Sequence, residues 1–358
     1  MRPIAPHHPR IRWRTVAIVL IGVLGTMASF RLFLGGWKAE QRQAEVEFRQ
    51  RATAGATALQ RSVQEHLGVL YGLGALYAAA SRPVTRETFR EFTKGPLQRY
   101  PGVQALAWVP RVSAAEQEAY LAAARQDGLV DFQLTERTPR RQVVQAARRD
   151  VYYPIFYLEP LAGHTATLGF NLGWDPVYMD AMQKALSTEE AVASAWLSLA
   201  QDTTEQFGVL LFLPIYQNGV SHRTLEERRA HLQGFVMALF RLGPLVEKSL
   251  YGTALGTIGL QLSDVTDAVS SYCLALQLRA SHISSWTFLP RQRTAAEAMR
   301  AGLHWERAFN VAGRTWSVLF HPTPEARRTH TWLSWSILVG GILFTLLCGG
   351  FIGGRGVS

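Results

Sequence analysis

The sequence predicts an α+β fold in which a long N-terminal stalk helix is followed by two antiparallel-sheet units, with an apolar helix at each end. Three observations lead to this prediction: two long apolar runs, a stretch without proline after the first run, and many short β-prone runs separated by turn residues. The 358 residues are enough for two ordinary domains. The composition is 48% hydrophobic, and the two apolar runs explain this slightly apolar balance.

The two apolar runs predict transmembrane helices. The first covers residues 15–34 and is interrupted only by Arg31, and the second covers residues 332–352 without any charge. Each is close to the roughly 20 residues needed to cross a bilayer. The first run exceeds the apolar part of a cleaved signal peptide, which has roughly 7–15 residues, so we expect it to be retained. Tryptophans that fit interfacial anchors lie at or near the ends of the runs: Trp13, Trp37, Trp332 and Trp335.

The charge distribution predicts the topology. Residues 1–14 carry four arginines and no acidic residue, so the positive-inside rule places this basic tail in the cytoplasm. Two spans then place residues 37–331 outside the membrane. They return the short tail, residues 353–358, to the cytoplasm.

Several classes of function lack their usual signatures. The net charge of +10 would suit a nucleic-acid partner, but the basic residues are dispersed and no nucleic-acid-binding motif accompanies them. Cys273 and Cys348 fall in different predicted compartments, so we expect no disulfide between them. Metal-type Cys/His spacing, a phosphate-binding loop and a nucleophile motif are all missing. We therefore predict no nucleic-acid partner, no metal, no cofactor and no catalytic residue, and expect that the protein is not an enzyme.

Residues 38–80 predict the stalk helix, because no proline occurs there before Pro83. Residues spaced alternately by four and three form an a/d seam: Ala52, Ala56, Leu59, Val63, His66, Leu70, Leu73 and Tyr77. Such a seam predicts packing on the chain's own domain, on a second protomer, or on both. His66 interrupts the apolar seam, as a partly exposed residue or as a pH-sensitive switch.

Residues 81–241 predict the first sheet unit. Thr85 is the expected N-cap of a helix that runs to Arg99, and Ser113 with Glu116 matches a capping box at the start of another helix. Residues 151–173 read as two short strands around a turn, and a further helix begins at Asp175. The remaining strands are predicted at residues 103–112, 132–135, 192–199, 208–216 and 232–240.

Residues 242–331 predict a second, smaller unit. A helical stretch at residues 245–250 leads into shorter β-prone runs. These strands are predicted at residues 257–264, 271–278, 287–289, 304–311 and 314–320.

Five segments together resemble a known sensory domain. They are residues 83–89, 99–112 (with the string YPGVQALAWVP), 152–155, 159–161 and 168–171. They look like the CHASE domain, the extracytoplasmic sensor of bacterial histidine kinases and nucleotide cyclases and of plant cytokinin receptors. The resemblance covers about residues 44–240. It implies that both sheet units are PAS-like, that residues 81–241 form the membrane-distal, ligand-binding unit, and that stalk helices pair in a homodimer.

The resemblance also implies a ligand site. Asn171 stands where the family usually has a ligand-binding aspartate, and it either contacts the ligand or caps the helix at Asp175. Gly208 resembles a family glycine that allows close approach of a ligand. Further candidates follow from position, with core packing as their alternative role: Ser194 and Trp196 on one face of a strand, Phe212 on the next strand, and Tyr153 and Tyr157 at the rim.

These expectations define a hypothesis about function. The resemblance implies an unidentified small-molecule ligand, a bacterial inner membrane location with the sensor region periplasmic, and ligand-driven shifts of the stalk and transmembrane helices. Only six residues follow residue 352, so an output domain is expected in a cytoplasmic kinase or cyclase partner, or in a longer receptor of which this chain is a fragment. The alternative is an adaptor that dimerises at the membrane without a ligand.

Overall fold

A computed structural model of the chain confirms a mixed fold of helices and antiparallel sheets that follows a long N-terminal helix. Two compact units are present, one made of Met1–Gln50 with Pro322–Ser358 and the other of Arg51–His321. The structure describes residues 10–129, 132–138, 142–162, 165–199, 207–253, 258–267, 272–279, 282–290, 300–323 and 332–354.

Helix α1 (Arg10–Ala79) is a single helix of 70 residues that includes both the first predicted span and the predicted stalk. The carbonyls of Tyr77, in its last turn, and of Ala80, just after it, accept hydrogen bonds from the Asn218 amide at 3.4 and 3.1 Å. Among the described residues, one helix is long and apolar enough to cross a membrane, within Ile18–Ala79. The apolar stretch Ser334–Cys348 of the C-terminal helix is shorter, so the second span stays a prediction.

The predicted seam of α1 packs on the chain's own domain. All eight seam residues are buried, and Tyr77 stacks on Trp108 of the first sheet with ring centroids 4.3 Å apart. At Gly74, an added Cβ would lie 2.7 Å from Leu213 of the same sheet, so the helix approaches the strands closely. Of the alternatives for the seam, packing on its own domain is therefore observed, and this surface is not free for a second protomer.

The expectation of a partly exposed His66 is wrong, because the side chain is only 2% exposed. Its Nδ1–H donates to the Ser62 carbonyl at 2.6 Å, and its ring meets Tyr100 and Phe240 edge-on at 5.2 and 5.5 Å. The Nε2 atom has no hydrogen-bond partner in the described chain. A Cβ on Gly102 would stand 2.7 Å from Nε2, so the glycine makes room for the ring that the sequence had suggested was at the surface.

The burial of His66 predicts acid sensitivity. Burial lowers its pKa below the ordinary 6.5, although the Ser62 carbonyl and Glu65 act in the opposite direction. The unfolded chain therefore takes up the proton first as pH falls. The stabilisation is complete above about pH 6.5 and is lost as pH falls from there through the folded-state pKa. We expect the melting temperature of the full chain, followed between about pH 5 and pH 8, to drop on acidification, and His66→Gln to flatten this drop.

His231→Gln is the control, because its Nδ1 makes an exposed hydrogen bond to the Ser221 carbonyl. A pH profile that stays unchanged in His66→Gln and flattens in His231→Gln would contradict the assignment.

The first sheet contains six antiparallel strands in the order β6-β1-β10-β9-β7, with β8 also paired to β9. Its strands are β1 (Val103–Pro110), β6 (Tyr157–Glu159), β7 (Val192–Ala193), β8 (Leu197–Ser198), β9 (Phe207–Tyr216) and β10 (Leu232–Arg241). Short strands pair beside it: β2 (Val112–Ser113) with β5 (Val151–Tyr152), and β3 (Thr135–Arg137) with β4 (Val143–Gln145). The helices are α2 (Arg86–Arg99), α3 (Gln117–Gln126), α4 (Pro176–Thr188), α5 (Leu225–His231) and α6 (Leu242–Leu250).

Helices cover both faces of the first sheet. On the rear face Trp108 of β1 meets α1. On the front face the neighbouring residues Ala107 and Val109 join a core cluster with α4, because alternate residues of a strand point to opposite faces. We call this the front cluster, and its main members are Ala105, Ala107, Val109, Phe212, Phe235, Met237, Ala181, Met182 and Ala185.

The second sheet has five strands in the order β13-β12-β11-β15-β14. A buried ion pair links two of its strands: Arg314 and Asp264 are in direct contact, and they are 5% and 2% exposed. Arg314 also reaches Asp267 at 2.8 Å. The strands are β11 (Ile258–Asp264), β12 (Tyr272–Arg279), β13 (His282–Pro290), β14 (Trp305–Val311) and β15 (Arg314–Pro322), and the C-terminal helix is α7 (Trp332–Gly354).

Three local predictions differ from the structure. The expected second strand near residues 166–172 is replaced by two short 3-10 turns, Thr165–Thr167 and Leu172–Trp174. The expected strand at 192–199 is interrupted between β7 and β8. Helix α3 starts at Gln117, because the Glu116 carboxylate turns back onto the Ser113 backbone N–H and hydroxyl at 3.0 and 2.6 Å and holds a turn there.

Candidate ligand-binding site

The segment from Tyr153 to Asp175 borders the front cluster and carries the candidate site. Backbone hydrogen bonds fix it, since Asn171 N–H donates to the Thr135 carbonyl at 2.8 Å and Leu172 N–H to the Tyr153 carbonyl at 2.9 Å. Gly169 has φ +79°, and a Cβ there would lie 2.0 Å from a backbone oxygen, so only glycine fits this turn. The loop therefore holds residue 171 in place through its backbone.

Asn171 is fully buried at 0% exposure. Its Oδ1 accepts the backbone N–H groups of Tyr153 at 2.9 Å and Gly173 at 3.2 Å. Because both partners are donors, the amide orientation is fixed and the NH₂ group points away from them. That Nδ2 atom has no hydrogen-bond partner within the described part of the chain.

Asn171 was predicted either to contact a ligand or to cap a helix, and its Oδ1 and Nδ2 atoms differ in which of these roles they fit. The oxygen caps the turn Leu172–Trp174, whereas Asp175 itself caps α4 by accepting the Val177 N–H at 2.8 Å. A buried donor without a partner is costly, by about 1–3 kcal/mol. The nitrogen is therefore the end that fits a ligand, and ligand contact by Asn171 stays a prediction.

Tyr153 lies beside this amide, because its backbone N–H donates to Asn171 Oδ1, and Phe212 shares the neighbouring Phe235 ring with Tyr153. The Phe235 ring lies 5.7 Å from that of Tyr153 and 6.2 Å from that of Phe212, measured between centroids. Tyr153 is half-buried and its hydroxyl interacts with Arg111, and burial raises its pKa despite that arginine, so the phenol is neutral. Phe212 is 0% exposed and belongs to the front cluster.

The Ser194 and Trp196 side chains lie in different surroundings, because β7 ends before them and β8 begins after them. Ser194 Oγ accepts the Leu210 N–H at 3.1 Å and donates to the Ala195 carbonyl at 2.8 Å, so its hydrogen bonding is satisfied internally. Trp196 packs edge-on against Trp316 of the second sheet, with centroids 5.5 Å apart. The alternation that predicted a common face does not hold across this interruption.

Gly208 and Tyr157 also have neighbours from the chain itself. A Cβ on Gly208 would lie 2.8 Å from the Phe240 carbonyl oxygen and 2.9 Å from a Leu199 methyl, so the close approach there is by protein atoms. Tyr157 donates its hydroxyl proton to the Val84 carbonyl at 3.3 Å, and the Arg86 guanidinium lies 4.8 Å from its ring centroid. Tyr157 thus meets the start of α2 and is absent from the front cluster.

Two further polar groups near Asn171 were not predicted from sequence. Thr135 Oγ1 and Trp174 Nε1 are buried atoms without hydrogen-bond partners among the described residues. Trp174 could have been found from its position three residues after Asn171. Thr135 reaches the site only because β3 forms a bridge to Phe170, a contact that no spacing in the sequence signals.

The first sheet thus carries α1 on one face, and α4 with the loop around Asn171 on the other. Residues 82–274 match the family model of the CHASE domain, which is more than half of the chain. The chain therefore belongs to the CHASE-domain family, and membership points to a sensory rather than a catalytic domain. The match begins after α1 and extends into the second sheet, so the expected coverage of residues 44–240 was misplaced at both ends.

Similar proteins are signalling proteins. Hybrid signal transduction histidine kinase A of Dictyostelium discoideum is 24% identical over 275 residues, which cover 73% of this chain but only 12% of that kinase. The periplasmic sensory domain of the Campylobacter jejuni chemoreceptor Tlp1 is 10% identical with a TM-score of 0.42, covering 77% of this chain and 93% of that one. The ligand-binding domain of the Pseudomonas aeruginosa amino-acid chemoreceptor PctC, in complex with GABA, is 13% identical with a TM-score of 0.39, covering 77% and 98%. Family membership therefore rests on the CHASE match.

Proposed function

We propose that this chain is a membrane-anchored, extracytoplasmic small-molecule sensor. The observation that carries the proposal is the buried Asn171 amide nitrogen, which has no protein partner among the described residues and lies within the matched CHASE domain. A ligand that satisfies this group would be bound beside the front cluster. The proposed location is the bacterial inner membrane, with the sensor region in the periplasm.

The first sheet offers a short route from ligand to stalk. Along β1, Ala107 and Val109 face the front cluster while Trp108 between them stacks on Tyr77 of α1. A ligand that displaces β1 would therefore also move the Trp108 ring, which contacts Tyr77 of α1 on the opposite face of the sheet. A ligand shifts the equilibrium between two conformations of the sensor region only by its difference in affinity for them. The bound conformation must therefore differ in the sheet or in its covering helix.

Apolar side chains on α1 and α7 support membrane anchoring. On α1, Leu20, Leu24 and Leu32 are 55%, 57% and 65% exposed, and on α7, Phe344 and Leu346 are both 69% exposed. Apolar surface of this extent on two helices fits a lipid surrounding. We propose that both helices span the membrane.

Small residues of α1 and α7 contact each other in an antiparallel register. A Cβ on Gly25 would touch Thr345 at 2.6 Å, and one on Gly341 would touch Ser29 at 2.3 Å. The contact pairs 25 with 345, 29 with 341 and 36 with 334 all sum to 370, as an antiparallel pair requires. Ser334 Oγ also donates to the Glu40 carboxylate at 2.7 Å. Small residues that allow close backbone approach are typical of helix pairs in membranes.

A homodimer through the stalk would need the other face of α1, because the seam is buried in its own domain. Residues spaced by seven on that face are exposed: Ala54, Arg61, Gly68 and Ala75. An added Cβ at Gly68 meets nothing within 4 Å. We place the proposed homodimer contact on this face. A cytoplasmic kinase or cyclase remains the proposed signalling partner.

A ligand screen on the full chain in detergent tests the sensor proposal. We expect at least one compound of a metabolite library to raise the melting temperature by about 5–10 °C near 100-fold excess over its dissociation constant. Asn171→Ala should abolish this rise. Asn310→Ala is the matched control, since Asn310 Oδ1 also accepts a backbone N–H, at 3.2 Å from Gly313, but in the second sheet.

Absence of any stabilising compound, together with a kinase that co-purifies regardless of added compounds, would favour the ligand-independent adaptor instead.

A further inference from the structure

We infer that the candidate site binds small organic carboxylates: residue 171 and two neighbours carry donor-capable groups without partners among the described residues, and two arginines without carboxylate partners in that part of the chain lie nearby. The inference rests on the proposed sensor function and names the ligand class of the same site. It differs from recognition by an acidic side chain at this position, which would require a ligand that donates hydrogen bonds.

The first step is the polarity of Asn171. Its only acceptor atom is engaged by the N–H groups of Tyr153 and Gly173, at 2.9 and 3.2 Å. The remaining end is an NH₂ group with two protons to donate and no lone pair to offer. A ligand that meets this side chain must therefore present a hydrogen-bond acceptor.

The second step is that the neighbouring orphan groups have the same preference. Trp174 Nε1 is a donor only, and Thr135 Oγ1 can donate its proton. Thr135 accepts the Asn171 backbone N–H at its carbonyl, 2.8 Å away, and Trp174 lies one turn further along the same loop. Three donors on two segments that are hydrogen-bonded to each other suit a group with several lone pairs, and a carboxylate has about four acceptor sites.

The third step is the charge around the loop. Arg111 interacts with the Tyr153 hydroxyl, and the Arg137 guanidinium lies 5.5 Å from the Phe170 ring centroid. Neither arginine forms an ion pair in the described chain. Among the acidic neighbours, Glu136 pairs with Arg149 at 3.1 Å, whereas Asp175 caps α4 through a neutral backbone N–H. Two arginines against the one Asp175 carboxylate leave a net positive charge near the site, which favours an anion.

The fourth step is the apolar surface beside the donors. Tyr153, Phe170 and Tyr178 are only partly buried and pack against the front cluster. A ligand with an aromatic or apolar body could lie on these rings while its carboxylate meets the donors. Phenylacetate has this shape, and phenylacetamide and phenethylamine are its neutral and cationic counterparts with the same ring.

The test is titration of the purified full chain with these three probes, followed by melting temperature and by calorimetry. We expect phenylacetate to bind at least roughly tenfold more tightly than either counterpart, because hydrogen bonds to a charged group are the stronger kind. Asn171→Asp keeps an acceptor for both backbone N–H groups but removes the donor and adds a negative charge. It should weaken phenylacetate by roughly 10- to 100-fold and favour phenethylamine.

Trp174→Phe keeps an aromatic ring beside Phe170 but removes the N–H together with the five-membered ring of the indole, so it should weaken phenylacetate about tenfold and remains informative if Asn171→Asp does not fold. Trp316→Phe is its control, because it also removes a buried indole N–H that has no partner among the described residues, but in the second sheet. Phenylacetate affinity should be unchanged there.

The outcomes distinguish the ligand class, the location of the site and the sensor function. Tighter binding of phenethylamine or phenylacetamide than of phenylacetate overturns the carboxylate inference and leaves the sensor function standing. Equal phenylacetate affinity in Trp174→Phe, Asn171→Asp and the unaltered chain overturns the assignment to this loop. No binding by any probe, together with no stabilising compound in the metabolite library, removes both the inference and the proposed function.

Discussion

Phe212→Ala is expected to lower the free energy of unfolding of the sensor region by about 3–5 kcal/mol. The ring is fully buried in the front cluster and meets Phe235 edge-on, so its removal leaves a cavity between the sheet and α4. Chemical denaturation of the full chain without ligand measures the loss. The result separates a core role from a ligand-contact role, because a ligand contact alone would not change the stability of the free protein.

Tyr251→Ala is the control, since this aromatic residue is 76% exposed and its loss should change stability by no more than about 0.5 kcal/mol. Equal stability of Phe212→Ala and the unaltered chain would show that the ring is not a core element. Loss of ligand binding in Phe212→Ala is to be interpreted only at temperatures where the variant remains folded.

Gly25→Cys combined with Thr345→Cys is expected to form an intramolecular disulfide in most chains when membranes are oxidised. A Cβ on Gly25 would lie 3.2 Å from Thr345 Cβ, close to the 3.5–4.5 Å typical of disulfides. Cys273 and Cys348 are replaced by serine in this background. Peptide mass mapping of the oxidised protein measures the cross-linked fraction and distinguishes it from bonds between two chains.

Gly22→Cys with Thr345→Cys is the matched control, because a Cβ on Gly22 meets nothing within 4 Å. We expect little intramolecular product from that pair. Similar yields from both pairs, or bonds only between chains, would contradict the antiparallel register and remove the support that it gives to a second span.

The periodic signal of α1 and the cap of α2 were read correctly from the sequence. The eight seam residues of α1 are all buried, and Thr85 caps α2 by accepting the Thr88 N–H at 3.2 Å. Both signals are local, since helix periodicity and caps depend on residues within one or two turns. The span at residues 15–34 and the stalk at residues 38–80 were predicted as separate segments, and α1 joins them into one helix.

The candidate site residues predicted from sequence stay a prediction, and the structure brings only some of them near one another. Tyr153 and Phe212 belong to or pack on the front cluster, and Asn171 binds the Tyr153 backbone, whereas Trp196 faces the second sheet and Tyr157 faces α2. Strand alternation predicts a shared face only while the strand continues, and the interruption after β7 removed that basis. Pairing between distant segments, such as the bridge from Thr135 to Phe170, leaves no periodic trace in sequence.

The sequence by itself determined the α+β class, the long seamed helix, the family and the loop that carries Asn171. Each of these depends on residue order over short distances. Only the tertiary structure decided which end of the Asn171 amide is free, where His66 lies, and which small residues of α1 and α7 meet. Those outcomes depend on hydrogen bonds and packing between segments far apart in the chain, where the partner of each polar atom is set by the fold as a whole.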